Sequence, residues 1–169
     1  MKLLGALIII ISSSMMGFLM AQQYILRPKQ LRELQTALQM LETEVSYGVT
    51  PLPEAFTKLA KNFSEPISNI FMAARDNLNS GIIAEDAWQK AINNVSNKTA
   101  LVDEDIEILL DFGYNLGQTS IDDQVKYLNL TQHKLDNLYQ QAFDEKEIKV
   151  KLWRYLGVLG GLFLAILIF

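Results

Sequence analysis

The sequence predicts an all-α protein, a bundle of about six helices flanked by an N-terminal and a C-terminal transmembrane helix. Three observations predict it. Both ends are apolar: residues 3–21 (LLGALIIIISSSMMGFLMA) hold no charge, and residues 153–169 (WRYLGVLGGLFLAILIF) hold one, Arg154. Between them, apolar residues recur at three- and four-residue steps and no stretch alternates like a strand. The 169 residues are 50% hydrophobic with only four Pro and nine Gly, which argues against disorder and against a turn-rich β fold. The expected division is a transmembrane helix over residues 1–22, a helical domain over 27–151, and a second transmembrane helix over 152–169 continuous with the last bundle helix.

The first segment spans nineteen uncharged residues, enough to cross a hydrocarbon core. A cleaved signal peptide is the competing reading, with cleavage near residues 12–14. Against it, Lys2 alone makes a thin positive region, and Leu19 is bulky where a small residue should stand. Pro28 then suits the first turn of a helix. Leu31, Leu34, Leu38, Leu41 and Val45 step 3, 4, 3, 4, with Gly48 closing the run. Such a seam serves either a coiled coil between chains or the core face of a bundle; the many helices that follow favour the bundle.

Thr50-Pro-Leu-Pro is a turn before a short helix over 54–63 with Phe56, Leu59 and Phe63 inward. The next helix opens at Ser64-Glu-Pro-Ile and has one face of Ile67, Ile70, Phe71, Ala74 and Leu78. Residues 83–95 supply Ala87, Trp88, Ala91 and Ile92 at helical spacing, followed by a polar loop. A helix starting at Thr99 or Asp103 has an acidic first turn (Asp103, Glu104, Asp105, Glu107), read as complementing the helix dipole, with a docking surface for a basic partner as the alternative. Residues 120–156 contain neither Gly nor Pro; Ile121, Val125, Leu128, Leu135, Leu138 and Ala142 mark the buried face of the last helix.

Small residues recur every fourth position in both terminal segments: Ser13, Gly17 and Ala21, then Gly157, Gly161 and Ala165. Each set forms a seam for close backbone approach. In an antiparallel hairpin this spacing pairs Ala21 with Gly157, Gly17 with Gly161, and Ser13 with Ala165; a seam between chains is the alternative.

Charge is unevenly placed under the net −4. Residues 33–145 carry 18 acids and 7 bases, whereas Lys2, Arg27, Lys29, Arg32, Lys146, Lys149, Lys151 and Arg154 lie outside with one acid, Glu147. The basic clusters beside both apolar ends belong to the middle domain, which predicts a cytoplasmic middle domain in a cell-membrane protein with two spans. Trp153 and Tyr155 suit an interfacial belt, and Arg154 can snorkel. An acidic domain repels the phosphate backbone, so no nucleic acid is expected.

Chemistry is not expected. Cysteine is absent, which excludes disulfides and thiol catalysis. The single histidine, His133, sits between Gln132 and Lys134 without partners for a metal. No phosphate-cradling fingerprint occurs, and neighbouring acids such as Asp122 and Asp123 point apart on a helix. The chain is read as no enzyme, with no catalytic residues, cofactor or metal.

KLLGALIIIISSS, RPKQLRELQTALQMLETEVSYGVTPLPEAF, ILLDFGYNLGQTSIDDQVKYLNL and LWRYLGVLGGLFLAILIF together resemble the stage III sporulation protein AB family of endospore-forming bacteria. The resemblance covers nearly the whole chain and is thinnest over residues 58–98. It implies a domain similar to the cytoplasmic helical domain of type II secretion and type IV pilus inner-membrane platform proteins. It further implies a non-enzymatic platform in the mother-cell membrane surrounding the forespore. That platform would couple a secretion-type ATPase, stage III sporulation protein AA, to other subunits of a channel between the two cells. Secretion platforms carry two helical domains and three spans; homo-oligomerisation would restore the copy missing here. A membrane-anchored oligomerising scaffold without ATPase coupling is the alternative. The interaction or turn candidates are Gly113, Leu116, Gly117, Ser120, Asp122, Asp123 and Gln124. One reading makes Gly117 the C′ glycine of one helix and Ser120 the cap of the next. The other turns this corner toward the ATPase.

Overall fold

The structure, a computed structural model, describes residues 2–47, 50–117 and 121–168. Gly48 and Ser120 lie outside the described residues. Six α-helices are found among the described residues: α1 (Lys2–Tyr47), α2 (Leu52–Asn62), α3 (Ile67–Asn79), α4 (Ala84–Val95), α5 (Asp103–Tyr114) and α6 (Ile121–Ile168), with a 3₁₀ turn at Ser96–Lys98. The chain forms two compact units, Met1–Pro28 with Gln140–Phe169, and Lys29–Tyr139.

In the unit Lys29–Tyr139, apolar periodicity becomes a single core. Leu31, Leu34, Leu38 and Leu41 of α1 are fully buried, as are Phe56 and Leu59 of α2, Ile67 and Phe71 of α3, Trp88 of α4 and Leu109 of α5. The heptad-like seam of α1 is therefore consumed inside one chain. Val45, Phe63 and Leu78, expected on the inward faces, are only half-buried, because each lies near a helix end where the core thins.

Helix starts follow local chemistry. Pro51 precedes α2 with its carbonyl accepting from the Glu54 and Ala55 amides at 2.9 and 3.0 Å, and Pro53 sits in the first turn, where no amide is missed. At α5, Asp105 accepts the Val102 amide at 2.9 Å and is itself fully buried. Asp103, not Thr99, starts that helix. Burial removes Asp105 from the acidic surface considered for a basic partner.

Within the same unit α1 and α6 run antiparallel, tied by polar groups. Gln35 Nε2 donates to Asp136 Oδ1 at 3.1 Å, and Glu42 accepts from Asn129 at 3.0 Å and Gln132 at 3.1 Å. Gln30 Oε1 accepts the Ala100 amide at 2.7 Å, satisfying a buried donor just ahead of α5.

Pro28 corrects an expectation. It lies inside α1 instead of opening a helix, so one intrahelical hydrogen bond is absent there. Pro28, Gln30 and Leu31 are buried, and that packing offsets the missing bond.

Candidate functional site

Two places carry the residues singled out by sequence. One is the corner at the end of α5; the other is the terminal unit with its small-residue seam.

At the corner, Trp88 is the fixed point. It is fully buried, its Nε1 donates to the Leu109 carbonyl at 2.6 Å, and its ring meets Phe112 edge-on at 5.4 Å between centroids. Phe56 and Phe71 flank it at 5.8 and 5.9 Å. Gly113 exists for this ring: a Cβ there would stand 2.6 Å from Trp88 Cδ1. Leu116 is 3% exposed and continues the same core. Gly117 has φ +78°, a left-handed conformation that favours glycine, and a Cβ would stand 3.1 Å from Ala84 Cβ.

Gly117 is not the C′ residue. Helix α5 ends at Tyr114 with Asn115 as C-cap, where the Asn115 and Leu116 amides still donate to the Phe112 and Gly113 carbonyls at 3.3 and 3.1 Å. Those tight final turns take up two more residues before the chain reverses hand, which places Gly117 at C″. The cap assigned to Ser120 falls outside the described residues. Asp122 and Asp123 are exposed in the first turn of α6, and Gln124 is half-buried. Among the described residues the corner thus joins Gly113 and Leu116 in packing and Gly117 in a turn, with Asp122 and Asp123 exposed beside them.

In the terminal unit the small residues do meet, in a register that differs from the expected one. A Cβ at Gly17 would stand 2.6 Å from the Trp153 carbonyl oxygen and 2.8 Å from Gly157 Cα. Ser13 Oγ donates to the Gly157 carbonyl at 2.8 Å, and a Cβ at Gly161 would stand 3.0 Å from Ser13 Cβ and from Ile10 Cα. Gly17 therefore faces Gly157, not Gly161, and Ser13 faces Gly157 and Gly161, not Ala165. This is a slip of one helical turn. A four-residue repeat on both helices is unchanged by such a slip, so spacing alone could not choose. The Ser13 hydrogen bond and the placement of Arg154, 4.8 Å over the Phe18 ring, distinguish the two registers. Ala21 and Ala165 are buried at 1% and 6% exposure.

The opposite faces are bare. Ile8, Met15, Met16, Phe18, Phe163, Ile166 and Leu167 expose 60–70% of their surface. Helices of this length and composition suffice to cross a bilayer, and little of their apolar surface is buried.

Sequence reasoning missed the polar clasps. Gln30, Gln35 and Glu42 occupy polar positions among apolar ones in α1, yet nothing in the sequence pairs them with Ala100, Asp136 or Asn129. The Glu44 carboxylate, which accepts from Lys58 Nζ at 2.6 Å and Thr50 Oγ1 at 2.7 Å, was likewise unforeseen; the Lys58 and Thr50 hydrogen bonds lower its pKa. His133 is exposed, and no group of three metal-ligating side chains comes together among the described residues.

Comparison with known proteins gives a consistent result. Residues 2–169 match the family Stage III sporulation protein AB. A relative, stage III sporulation protein AB of Bacillus subtilis (strain 168), is 36% identical over 169 residues, 99% of both chains. A solved structure of stage III sporulation protein AB superposes with a TM-score of 0.70 at 34% identity, covering 73% of this chain and 98% of that one.

Proposed function

The chain belongs to the stage III sporulation protein AB family, and from that premise we propose that it is a non-enzymatic platform subunit of a sporulation channel. Its helical unit stands in the cytoplasm of the mother cell. There it engages the secretion-type ATPase stage III sporulation protein AA and couples it to the other channel subunits in the membrane surrounding the forespore. One observation carries this reading: a packed helical unit, Lys29–Tyr139, whose first and last helices, α1 and α6, also carry the two apolar runs with bare outer faces. Lys29, Arg32, Lys146, Lys149, Lys151 and Arg154 near those apolar runs support a cytoplasmic middle, since positive charge close to spans is retained on that side. Asp122 and Asp123 are exposed at this corner, where a partner can reach them.

Topology and partner are tested separately. The chain lacks cysteine, so Ser64→Cys, at an exposed position, reports sidedness by itself. It should react with a membrane-impermeant maleimide only after permeabilisation; reaction in intact cells refutes a cytoplasmic middle. The full chain, purified from membranes, should retain stage III sporulation protein AA, and Asp122→Lys with Asp123→Lys should weaken that retention. A chain that associates only with copies of itself indicates an oligomerising scaffold instead.

A further inference from the structure

Beyond the small-residue seam, the terminal unit holds a second feature. A groove of about 440 Å³ opens along α6 just ahead of its charge-free run, lined by Ile25, Phe143 and Val150 on the apolar side and by Lys146, Lys151 and Arg154 on the charged side. Glu147 is the one acid in it. The α6 members fall at steps of three and four from 143 to 154, which puts them on one helix face over roughly 16 Å.

The state of the cations is informative. Two basic residues near the groove are ion-paired, Arg27 with Glu145 at 3.6 Å and Lys29 with Glu33 at 3.8 Å. Those lining it lack a carboxylate partner among the described residues, and two lie on aromatic rings, Lys146 at 6.0 Å from the Phe143 centroid and Arg154 at 4.8 Å from that of Phe18. A ring orients a cation without neutralising it. With three cations against the single carboxylate of Glu147, the groove stays net positive, and an anion among the cations would relieve their mutual repulsion.

We propose that this groove is a binding site for the headgroup of an anionic phospholipid, whose phosphate is held by Lys146, Lys151 and Arg154 while its glycerol and upper acyl carbons lie on Ile25, Phe143 and Val150. Position selects this occupant. Arg154 is the last charge in the chain, followed by fifteen uncharged residues, so on the membrane-spanning reading the groove lies at headgroup depth. Basic pockets between membrane helices at that depth take anionic headgroups, and a soluble anion would leave the apolar wall unused.

The test uses the full-length chain purified in mild detergent and exposed to equimolar phosphatidylglycerol and phosphatidylcholine, with retained lipid read by native mass spectrometry. Phosphatidylglycerol should be retained preferentially. Lys146→Gln with Lys151→Gln should weaken that retention by about fivefold per lysine, whereas Lys149→Gln, on the same helix but outside the groove, should leave it unchanged. Equal loss in the Lys149 variant means diffuse surface attraction and overturns the site. So does equal retention of phosphatidylcholine, or displacement of the lipid by millimolar inorganic phosphate. Extraction of the chain from membranes by alkaline carbonate would refute the membrane reading itself. A carbonate-resistant chain without lipid preference refutes only the groove.

Discussion

Replacing Gly113 by alanine tests the packing at the α5 corner most directly. Gly113 has an ordinary helical backbone, so helix propensity alone makes Gly113→Ala stabilising by about 0.5–1 kcal/mol. The structure reverses that sign. The new Cβ would stand 2.6 Å from Trp88 Cδ1, nearly 1 Å inside ordinary carbon–carbon contact, roughly 3.5 Å. Trp88 has nowhere to go: it is fully buried, ringed by Phe56, Phe71 and Phe112, and held by its 2.6 Å bond to the Leu109 carbonyl. Overpacking costs about 1–3 kcal/mol, and displacing the ring far enough to orphan Nε1–H adds about 1–3 kcal/mol. After the propensity gain, the expected net loss is about 1–5 kcal/mol. Gly81→Ala is the control, because its φ of +82° strains alanine while nothing lies within 4 Å of its Cβ; its cost is limited to about 1–2 kcal/mol. Denaturant unfolding of the detergent-solubilised full chain, followed by Trp88 fluorescence in a Trp153→Phe background, measures both. A Gly113→Ala protein as stable as the parent, or more stable, refutes the account of this corner.

Three further outcomes follow from the geometry. Gln30→Ala removes the acceptor of the buried Ala100 amide and should cost about 1–3 kcal/mol, with faster hydrogen exchange at Ala100 as its local signature. Ser13→Cys with Gly161→Cys should form a disulfide within one chain, since a β-carbon added at 161 would stand 3.0 Å from that of Ser13 and from Ile10 Cα, and parting the helices by about 0.5–1 Å brings the pair into disulfide range; Ser13→Cys with Ala165→Cys, the pair of the alternative register, should not. Glu44 has its pKa lowered from the ordinary 4.5 by the Lys58 and Thr50 hydrogen bonds. A depressed carboxylate contributes stability above its unfolded pKa and loses it as pH falls through the lower folded value. The parent should therefore exceed Glu44→Gln in Tm at neutral pH, and the gap should close on acidification below pH 4.5. A gap that persists at full protonation refutes the assignment.

Much of this protein is legible without coordinates. The apolar ends, the helical class, the inward leucines of α1 and the family follow from composition, period and motif, because burial of one helix face demands a local repeat that any window of sequence displays. Gly113 was visible as a candidate but not its reason: its partner, Trp88, is twenty-five residues away in the chain. The clasps of Gln30, Gln35 and Glu42 were invisible, since a polar residue in a helix carries no mark of the distant group that satisfies it. The hairpin register makes the same point most sharply. Small residues every fourth position told that Gly17 and Gly157 belong to close-packing seams, yet a repeat of one turn matches itself after a slip of one turn. Periodicity is a property of each helix alone. Which turn meets which is a property of the pair, decided by Ser13 reaching the Gly157 carbonyl and by two backbones approaching where neither carries a Cβ.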